Sequence, residues 1–339
     1  MRTFKNLMVV SAVLAFVGCA KTEDVKIDDD KAAGGVGNLT VSVCAEEPKT
    51  RAVVDYQKAS SEESAVFKVD VMVFDAQTQR LEQSASATTL AQECSFELPV
   101  GQKVVYALVN GPDVTRVQNI SQLLALSEDL SARTIGQHGF AMLGSQECMV
   151  EAGKVAEPEI LVKRLVSRIE LRNVKCDVAA QYGGMTIECA FLGNAYSVGE
   201  LSGVVSSMVN VGGYADSQKT NPIGLNGIKG ACPEYMYRDI NSQLATGASL
   251  MDPTFMYCCP NASGEYTCLY LLATIGGEKY YYRVPFDKGL VGNTTYIVDA
   301  VITNLGAPLP PDGVTQKGEI VATITIADWE IGDSYHAEF

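Results

Sequence analysis

Residues that usually carry catalysis or bind metal ions are few in this chain and are spread along it. The 339 residues include two histidines, His138 in a glycine-flanked stretch and His336 near the end. Neither has a partner at a useful spacing, and no zinc-protease, nucleophile-elbow, phosphate-loop or EF-hand pattern occurs. The acidic run at 28–30 is more typical of a solvated segment than of a calcium site. We therefore predict no catalytic residue, no metal site, no cofactor and no enzyme activity.

The charge and composition exclude two classes of partner. The formal net charge is −14, whereas nucleic-acid binding requires a basic surface. The same charge disfavours electrostatic docking on an anionic membrane. Hydrophobic residues make up 47% of the chain, which is enough to bury a core, and the length allows two ordinary domains. The sequence thus predicts a folded, acidic protein that does not bind nucleic acid.

Cys19 is the one residue to which the sequence assigns a covalent modification. Arg2 and Lys5 precede an apolar run over 7–18, which is too short to span a bilayer and is typical of a secretory signal. The run ends in Val17-Gly18-Cys19, which resembles the bacterial lipobox, where the cysteine receives lipid and becomes the new N-terminus. We predict a signal peptide over 1–18 and lipidation of Cys19. An ordinary signal peptide followed by a chance cysteine is the alternative.

The other cysteines have no predicted pairing. The chain has ten in all, and an exported protein can form disulfides. No two are spaced as in zinc-binding pairs. Most lie in strand-like stretches, where a cysteine also serves as a small buried apolar group.

Alternating apolar and polar residues predict strands along most of the chain. The strand nearest the N-terminus has Leu39, Val41 and Val43 on one face and Thr40 and Ser42 on the other. Similar stretches predict further strands at 66–74, 94–98, 103–109, 140–143, 149–150, 159–162, 165–171, 185–192, 266–275, 279–284, 295–302 and 319–326.

Few helices interrupt these strands. One helix is predicted over 120–130, with Asn119 or Ser121 as its N-cap. The stretch 193–255 has no clear period and predicts long loops with short helical turns. Many short strands and few helices predict a mainly β fold built of β-sandwiches.

The last eleven residues alternate more strongly than any other stretch. The odd-numbered positions are apolar apart from Asp333, and they include Ile331, Tyr335, Ala337 and Phe339. The even-numbered positions after Trp329 are polar or glycine. A strand with one buried face is predicted here. It needs a groove to lie in, either in its own domain or in a neighbour.

At this point the sequence resembles the Bacteroidales fimbrillins, the subunits of protease-activated type V pili. The resemblance is carried, in order along the chain, by Cys19, the strand at 38–43, Thr50-Arg51-Ala52, the stretches 68–74, 104–110 and 163–169, and Ala327-Asp328-Trp329. It implies two tandem transthyretin-like β-sandwich domains, at 52–164 and 165–339, after a lipidated leader over 19–51.

The resemblance also implies how the chain is processed and assembled. Cys19 would anchor the precursor in the outer membrane, and an Arg-specific protease would cut between Arg51 and Ala52. The strand with Leu39, Val41 and Val43 would then leave and open a groove. The tail of an identical or related subunit would fill it with its donor residues, which are Ile331, Tyr335, Ala337 and Phe339. The product would be a fimbria on the cell surface that supports adhesion.

Three other interpretations stay open at this stage. The chain could be an anchor subunit that keeps its lipid, or an adhesive tip that binds a ligand on a host or bacterial surface. It could also be a glycan-binding surface lipoprotein that does not polymerise, with clustered tyrosines at 280–282 as a stacking surface.

Overall fold

The structure, a computed structural model, describes residues 35–45, 60–132, 137–209, 228–230, 232–261, 267–308 and 320–328. Within these ranges the chain forms twenty strands and a few short helical segments. It is therefore mainly β, and the predicted fold class is confirmed. The predicted domain boundaries stay predictions.

Strands β1 to β9 make up the first half of the described chain. Their bounds are β1 (Val36–Ala45), β2 (Val69–Asp75), β3 (Leu81–Ala87), β4 (Cys94–Pro99), β5 (Gly101–Val109), β6 (Ser127–Asp129), β7 (Met142–Val150), β8 (Val155–Ala156) and β9 (Glu159–Arg164). A helix, α1 (Ile120–Leu124), and a 3-10 turn at Leu130–Ala132 lie between β5 and β7. The first sheet has the order β3-β2-β5-β7-β9-β1-β4, with β8 beside β1.

Strands β10 to β20 make up the second half. Their bounds are β10 (Ser167–Cys176), β11 (Met185–Gly193), β12 (Ala195–Glu200), β13 (Val205–Val209), β14 (Tyr237–Leu244), β15 (Ser249–Leu250), β16 (Thr254–Cys258), β17 (Cys268–Ile275), β18 (Glu278–Pro285), β19 (Thr294–Ile302) and β20 (Ile320–Asp328). They form a sheet β15-β10-β19-β20 with β16 beside β10, and a sheet β14-β11-β17-β18. A third, small sheet has the order β13-β12-β6.

Each half buries its own apolar core. Along β1, β4 and β9, buried and more exposed residues alternate, as expected for strands with one face in a core. Their buried side chains join those of β2, β5 and β7 in one cluster, so the first sheet folds over itself as a sandwich. In the second half, Ile169 and Val298 of one sheet meet Leu192 and Leu271 of the other in a separate cluster.

Strand β2 is buried on both faces. Val71 and Val73 point into the first core, whereas Met72 and Phe74 belong to a second cluster with Leu123 of α1. The helix thus covers the outer face of the sheet at its centre. This explains why the sequence of β2 is nearly continuous in apolar residues rather than strictly alternating.

The predicted helix over 120–130 is too long. Asn119 caps α1 as predicted, since its side chain accepts a hydrogen bond of 2.9 Å from the backbone N–H of Gln122. The helix nevertheless ends at Leu124, because the backbone of 127–129 pairs with β12 as strand β6. Leu130 is buried, but it lies in the following 3-10 turn.

The stretch 193–255 was predicted as long loops with short helical turns. A short 3-10 turn does lie at Glu234–Met236, but the prediction of long loops is wrong in the described part. Strands β12 to β16 lie there. Most of them bury few side chains: in β14, for example, Tyr237 and Leu244 are buried at the two ends and the residues between are half-buried or exposed. Because periodicity reports burial, such strands leave little signal in the sequence.

Asn110 joins three segments of the first half at the end of β5. Its backbone is in the left-handed region, with φ of 50°, which asparagine tolerates better than most residues. The buried side chain accepts hydrogen bonds from the backbone N–H groups of Phe67 (2.8 Å) and Lys68 (3.3 Å). Its amide donates to the carbonyls of Ala65 (2.8 Å) and Phe140 (3.3 Å).

We expect Asn110→Asp to destabilise the protein although it keeps the side-chain shape. The change removes both donors and sets a carboxylate against two carbonyl oxygens, and each unsatisfied buried group costs about 1–3 kcal/mol. Urea unfolding should therefore show a loss of about 2 kcal/mol or more. The matched control is Asn304→Asp, at an exposed asparagine, which should stay within about 0.5 kcal/mol. Equal stability of the two variants would contradict this role of Asn110.

Candidate assembly site around the first strand

Strand β1 lies inside the first sheet, between β4 and β9. Its N-terminal part pairs antiparallel with β4, from Val36 opposite Pro99 to Val41 opposite Cys94. Its C-terminal part runs parallel to β9, with 42–45 opposite 159–162, and β8 adds a short parallel pairing at 38–39. Without β1, three strands would each present an unpaired edge, which is a template for another strand.

The three residues predicted on the apolar face of β1 are brought together in the core. Leu39 and Val41 are fully buried and Val43 is 3% exposed. They pack in the same cluster as Phe96, Leu98 and Ile160, among others. Fully burying such a side chain stabilises a fold by about 1.5–3 kcal/mol. The place of β1 is therefore an apolar trough with polar edges.

Gly37 narrows one end of this trough. A Cβ atom at this position would lie 2.4 Å from the carbonyl oxygen of Glu151 and 2.7 Å from Cγ1 of Val150. Since the first of these atoms is backbone at the end of β7, it cannot move aside cheaply. The inner side of β1 at Gly37 thus has no room for a side chain. The sequence pattern alone did not single out Gly37 as a site residue, although a glycine inside a strand often marks such a close approach.

The outer face of β1 is polar and half-exposed. The hydroxyl of Thr40 lies 3.4 Å from that of Ser95 on β4. The thiol of Cys44 donates a hydrogen bond of 3.0 Å to the Glu159 carboxylate on β9. These contacts are weak and solvent-accessible, so the inner face provides most of the free energy that holds β1.

The chain that follows the predicted cleavage site is anchored by Glu63. Glu63 is 3% exposed, and its carboxylate accepts hydrogen bonds from Ser60 N–H (2.6 Å) and from the Tyr257 hydroxyl (2.7 Å). The same carboxylate lies 3.0 Å from Nε of Arg168, which is fully buried at the start of β10. The segment at 60–63 is thus bound to the second half of the protein.

Two ionisation shifts show how strongly this cluster is desolvated. Burial raises the pKa of Tyr257, and the Glu63 carboxylate beside it acts in the same direction, so the phenol is neutral at physiological pH. Burial lowers the pKa of Arg164 to about 10, opposed by Glu63, so its guanidinium stays charged. Arg164 also donates a hydrogen bond of 3.3 Å to the Glu63 carbonyl. The buried carboxylate of Glu170 lies 4.0 Å from Nη1 of Arg168, so the cluster combines two carboxylates with two buried guanidinium groups.

A cavity of about 330 Å³ opens beside the cluster. Arg168, Arg238, Asp239, Phe255 and Tyr257 are among its lining residues. The Arg168 guanidinium lies 4.2 Å from the centroid of the Phe255 ring. Because the lining carries both signs of charge, it favours neither an anion nor a cation.

The described residues include no group of three His, Cys, Asp or Glu side chains placed to hold a metal ion. Nor does any helix in the described ranges combine the length and hydropathy needed to cross a membrane.

Several predicted site residues lie outside the described ranges. These are the lipidation residue, the two cleavage-site residues and the four donor residues: Cys19, Arg51, Ala52, Ile331, Tyr335, Ala337 and Phe339. The described chain ends with β20 at Asp328, directly before the alternating tail. Strand β20 pairs antiparallel with β19 over its whole length.

Comparison with known proteins gives matches to solved structures. No protein-family model and no curated protein matches the chain. A "putative cell adhesion protein" from Bacteroides eggerthii matches with a TM-score of 0.62 at 16% identity, covering 87% of this chain and 97% of the other. A second protein of that description, from Parabacteroides distasonis, matches with a TM-score of 0.60 at 15% identity, covering 88% of this chain and 99% of the other. A fimbrilin from Porphyromonas gingivalis matches with a TM-score of 0.57 at 15% identity, covering 88% of this chain and 98% of the other.

These likenesses extend over most of both chains. The chain thus has the fold of the fimbrilin and cell-adhesion structures, and the fold implied by the sequence resemblance is confirmed. At these identities the likeness defines the fold, whereas function has to be argued from the site.

We expect Leu39→Ala to destabilise the unprocessed chain by about 2–5 kcal/mol, because it leaves a cavity among fully buried neighbours. Ser42→Ala, on the half-exposed face of the same strand, should change stability by less than about 0.5 kcal/mol. Urea unfolding of the full-length chain measures both. If the two variants unfold alike, β1 does not belong to the cooperative core.

Proposed function

We propose that this protein is a subunit of cell-surface fimbriae. In this proposal it is exported as a lipoprotein, activated by Arg-specific proteolysis and polymerised by exchange of β1 for the tail of another subunit. The observation that carries the proposal is the position of β1, whose apolar face is buried inside the sheet although it lies upstream of Arg51. The fimbrilin-like fold supports the same conclusion.

A cut after Arg51 would separate β1 from the rest of the fold. Arg51 lies between the end of β1 at Ala45 and Ser60, where the next described segment begins and hydrogen-bonds to Glu63. Upstream of the cut, β1 would be held by non-covalent contacts alone. Downstream, the Glu63 cluster would keep the new N-terminal segment bound to the second half. Cleavage in this interval would therefore make β1 removable while the new N-terminal segment stays bound to the second half.

Covalent attachment matters because it keeps the local concentration of β1 high. A strand that belongs to the same chain as its groove rebinds intramolecularly, at a high effective concentration. Once cut, it dissociates into solution and is diluted. The trough and the edges of β4, β8 and β9 then need another strand, since unpaired backbone groups and exposed apolar surface are both unfavourable.

The tail after β20 has the pattern needed to replace β1. Its apolar side chains suit the trough, and its polar side chains suit the half-exposed outer face. Main-chain hydrogen bonds to the neighbouring edges would provide affinity, as in other cases where a strand is added to a sheet. Each subunit would then give one strand and accept one strand, which generates an open-ended fibre.

The lipid on Cys19 fits a temporary role in this scheme. It would hold the precursor on the outer membrane until cleavage, and it would leave with the leader. The mature subunit would start at Ala52 and be found in the fimbria on the cell surface. Identical or related subunits and the Arg-specific protease would be its partners.

We expect Arg51→Ala to keep the protein at the mass of the lipidated precursor and to abolish incorporation into fibres, since β1 would stay in place. Immunoblotting of sheared fibres and membranes measures both. Arg116→Ala, at an exposed arginine in the first half, is the control and should be processed normally. Fibres of normal length from the Arg51→Ala chain would contradict the proposed processing step.

Two complementary variants should stop assembly at a dimer. The Arg51→Ala chain keeps β1 and can only donate its tail, whereas a processed chain that lacks 330–339 can only accept one. Mixing them should give a 1:1 complex by size exclusion with light scattering, while neither variant should self-associate. Failure to form the complex, or fibres made by the tail-deleted chain alone, would contradict donor-strand exchange.

A further inference from the structure

We infer that the tail of an incoming subunit enters the trough in the direction opposite to β1, with Phe339, Ala337 and Tyr335 in the places of Leu39, Val41 and Val43. The inference rests on the proposed function and deepens it, because it specifies the direction and register of the donor. It follows from three constraints: the alternation of the tail, the charge of Asp333 and the lack of space at Gly37.

Alternation decides which side of the tail faces the core. The inner places of β1 are buried, and the even-numbered tail residues from Glu330 to Glu338 are polar or glycine. The odd-numbered residues therefore face inward. Burying an unpaired carboxylate in an apolar core destabilises the complex by several kcal/mol, on the order of the desolvation penalty of a buried ion. Asp333 is thus excluded from the places of Leu39, Val41 and Val43.

Only two registers then remain. Residues up to Asp328 are already paired in β20, and the donor residues of the proposed function lie within 329–339, so this stretch is the one that would fill the three apolar places. In the same-direction register, Tyr335, Ala337 and Phe339 replace Leu39, Val41 and Val43. In the opposite-direction register the order is reversed, and Phe339 replaces Leu39. Both put Ala337 at the centre, so the position of Asp333 distinguishes them.

The same-direction register puts Asp333 at the place of Gly37. There its Cβ would come within 2.4 Å of the Glu151 carbonyl oxygen, a distance that real Cβ atoms essentially never show. The carboxylate would also lie against a carbonyl oxygen rather than a donor, which is electrostatically unfavourable. This register therefore fails on both space and charge.

The opposite-direction register puts Asp333 at the place of Ala45, which is half-exposed at the other end of the trough. There the carboxylate keeps its contact with water. Ser334 then takes the place of Cys44, whose thiol donates a hydrogen bond to Glu159. A serine hydroxyl can make the same bond. In this register no charged side chain is buried on the inner face, and the outer face keeps its hydrogen bond to Glu159.

The larger side chains of the tail favour it over the leader in this register. A strand in this orientation runs antiparallel to β8 and β9 but parallel to β4, so reversal exchanges one kind of pairing for the other and gives no net preference in backbone pairing. Phe339 and Tyr335 each bury about 150–250 Å² in a core, more than the leucine and valine they replace. The small Ala337 between them leaves room for the two rings.

Disulfide trapping in the 1:1 complex tests the direction. The donor is the Arg51→Ala chain with Ser334→Cys, and the acceptor is the processed, tail-deleted chain with either Leu161→Cys or Glu97→Cys. Leu161 is the partner of Cys44, and Glu97 is the partner of Asn38. Both acceptor positions are exposed. These two acceptor positions lie opposite residues that are six positions apart along β1, a separation of about 20 Å at the rise of a strand. The cysteine at position 334 of the donor therefore cannot reach both.

The expected result is rapid cross-linking of Ser334→Cys to Leu161→Cys under mild oxidation, with at least about tenfold less product for Glu97→Cys, because only the first pair would meet the geometry of a disulfide. Peptide mass spectrometry identifies the linked residues and excludes native cysteines. Preferential linkage to Glu97→Cys would overturn the inferred direction and leave strand exchange intact. A complex that forms normally but links neither pair would overturn the register as well. Absence of the complex before any cysteine is introduced would instead count against the proposed function.

Discussion

The first half of the structure depends on the burial of one strand. Strand β1 supplies Leu39, Val41 and Val43 to the core and also closes the edges of β4, β8 and β9. Both contributions are required, because buried backbone groups need hydrogen-bond partners and an apolar trough is unfavourable in water. A fold built in this way cannot leave the place of β1 empty. In the proposed exchange, a strand with the same alternation would take this place.

The Glu63 cluster makes such an exchange compatible with a stable subunit. It binds the chain just after the predicted cleavage site to Arg168 and Tyr257 in the second half. Removing one partner of a buried ion pair lowers the free energy of unfolding by about 3–5 kcal/mol. This contact therefore holds the segment at 60–63 strongly against the second half. The segment at 60–63 would thereby stay bound to the second half when β1 leaves. The cavity beside the cluster borders the same residues.

The parts of this arrangement that could be predicted from the sequence are those that leave a signal within a few neighbouring residues. The alternation of Leu39, Val41 and Val43 reports a buried face directly, and Asn119 before α1 is a capping residue by its chemistry. Strands such as β14 were missed because most of their side chains are half-buried or exposed, whereas β16 is short and buries three consecutive residues, which gives no alternation. The Glu63 cluster was missed because it joins residues about 100 to 200 positions apart, which no short-range pattern reports. The restriction at Gly37 depends on the path of β7, so its meaning appears only in the folded chain.

Hydrogen exchange of the backbone amides of β4 and β9 tests the central claim, that β1 occupies a place that is vacated and refilled. It should be measured in the unprocessed chain, in the processed chain lacking 330–339, and in assembled fibres. We predict slow exchange in the precursor, fast exchange in the processed monomer and slow exchange again in the fibre, with other core strands protected throughout. Exchange in β4 and β9 that stays slow in the processed monomer would mean that β1 never leaves, and it would contradict the account.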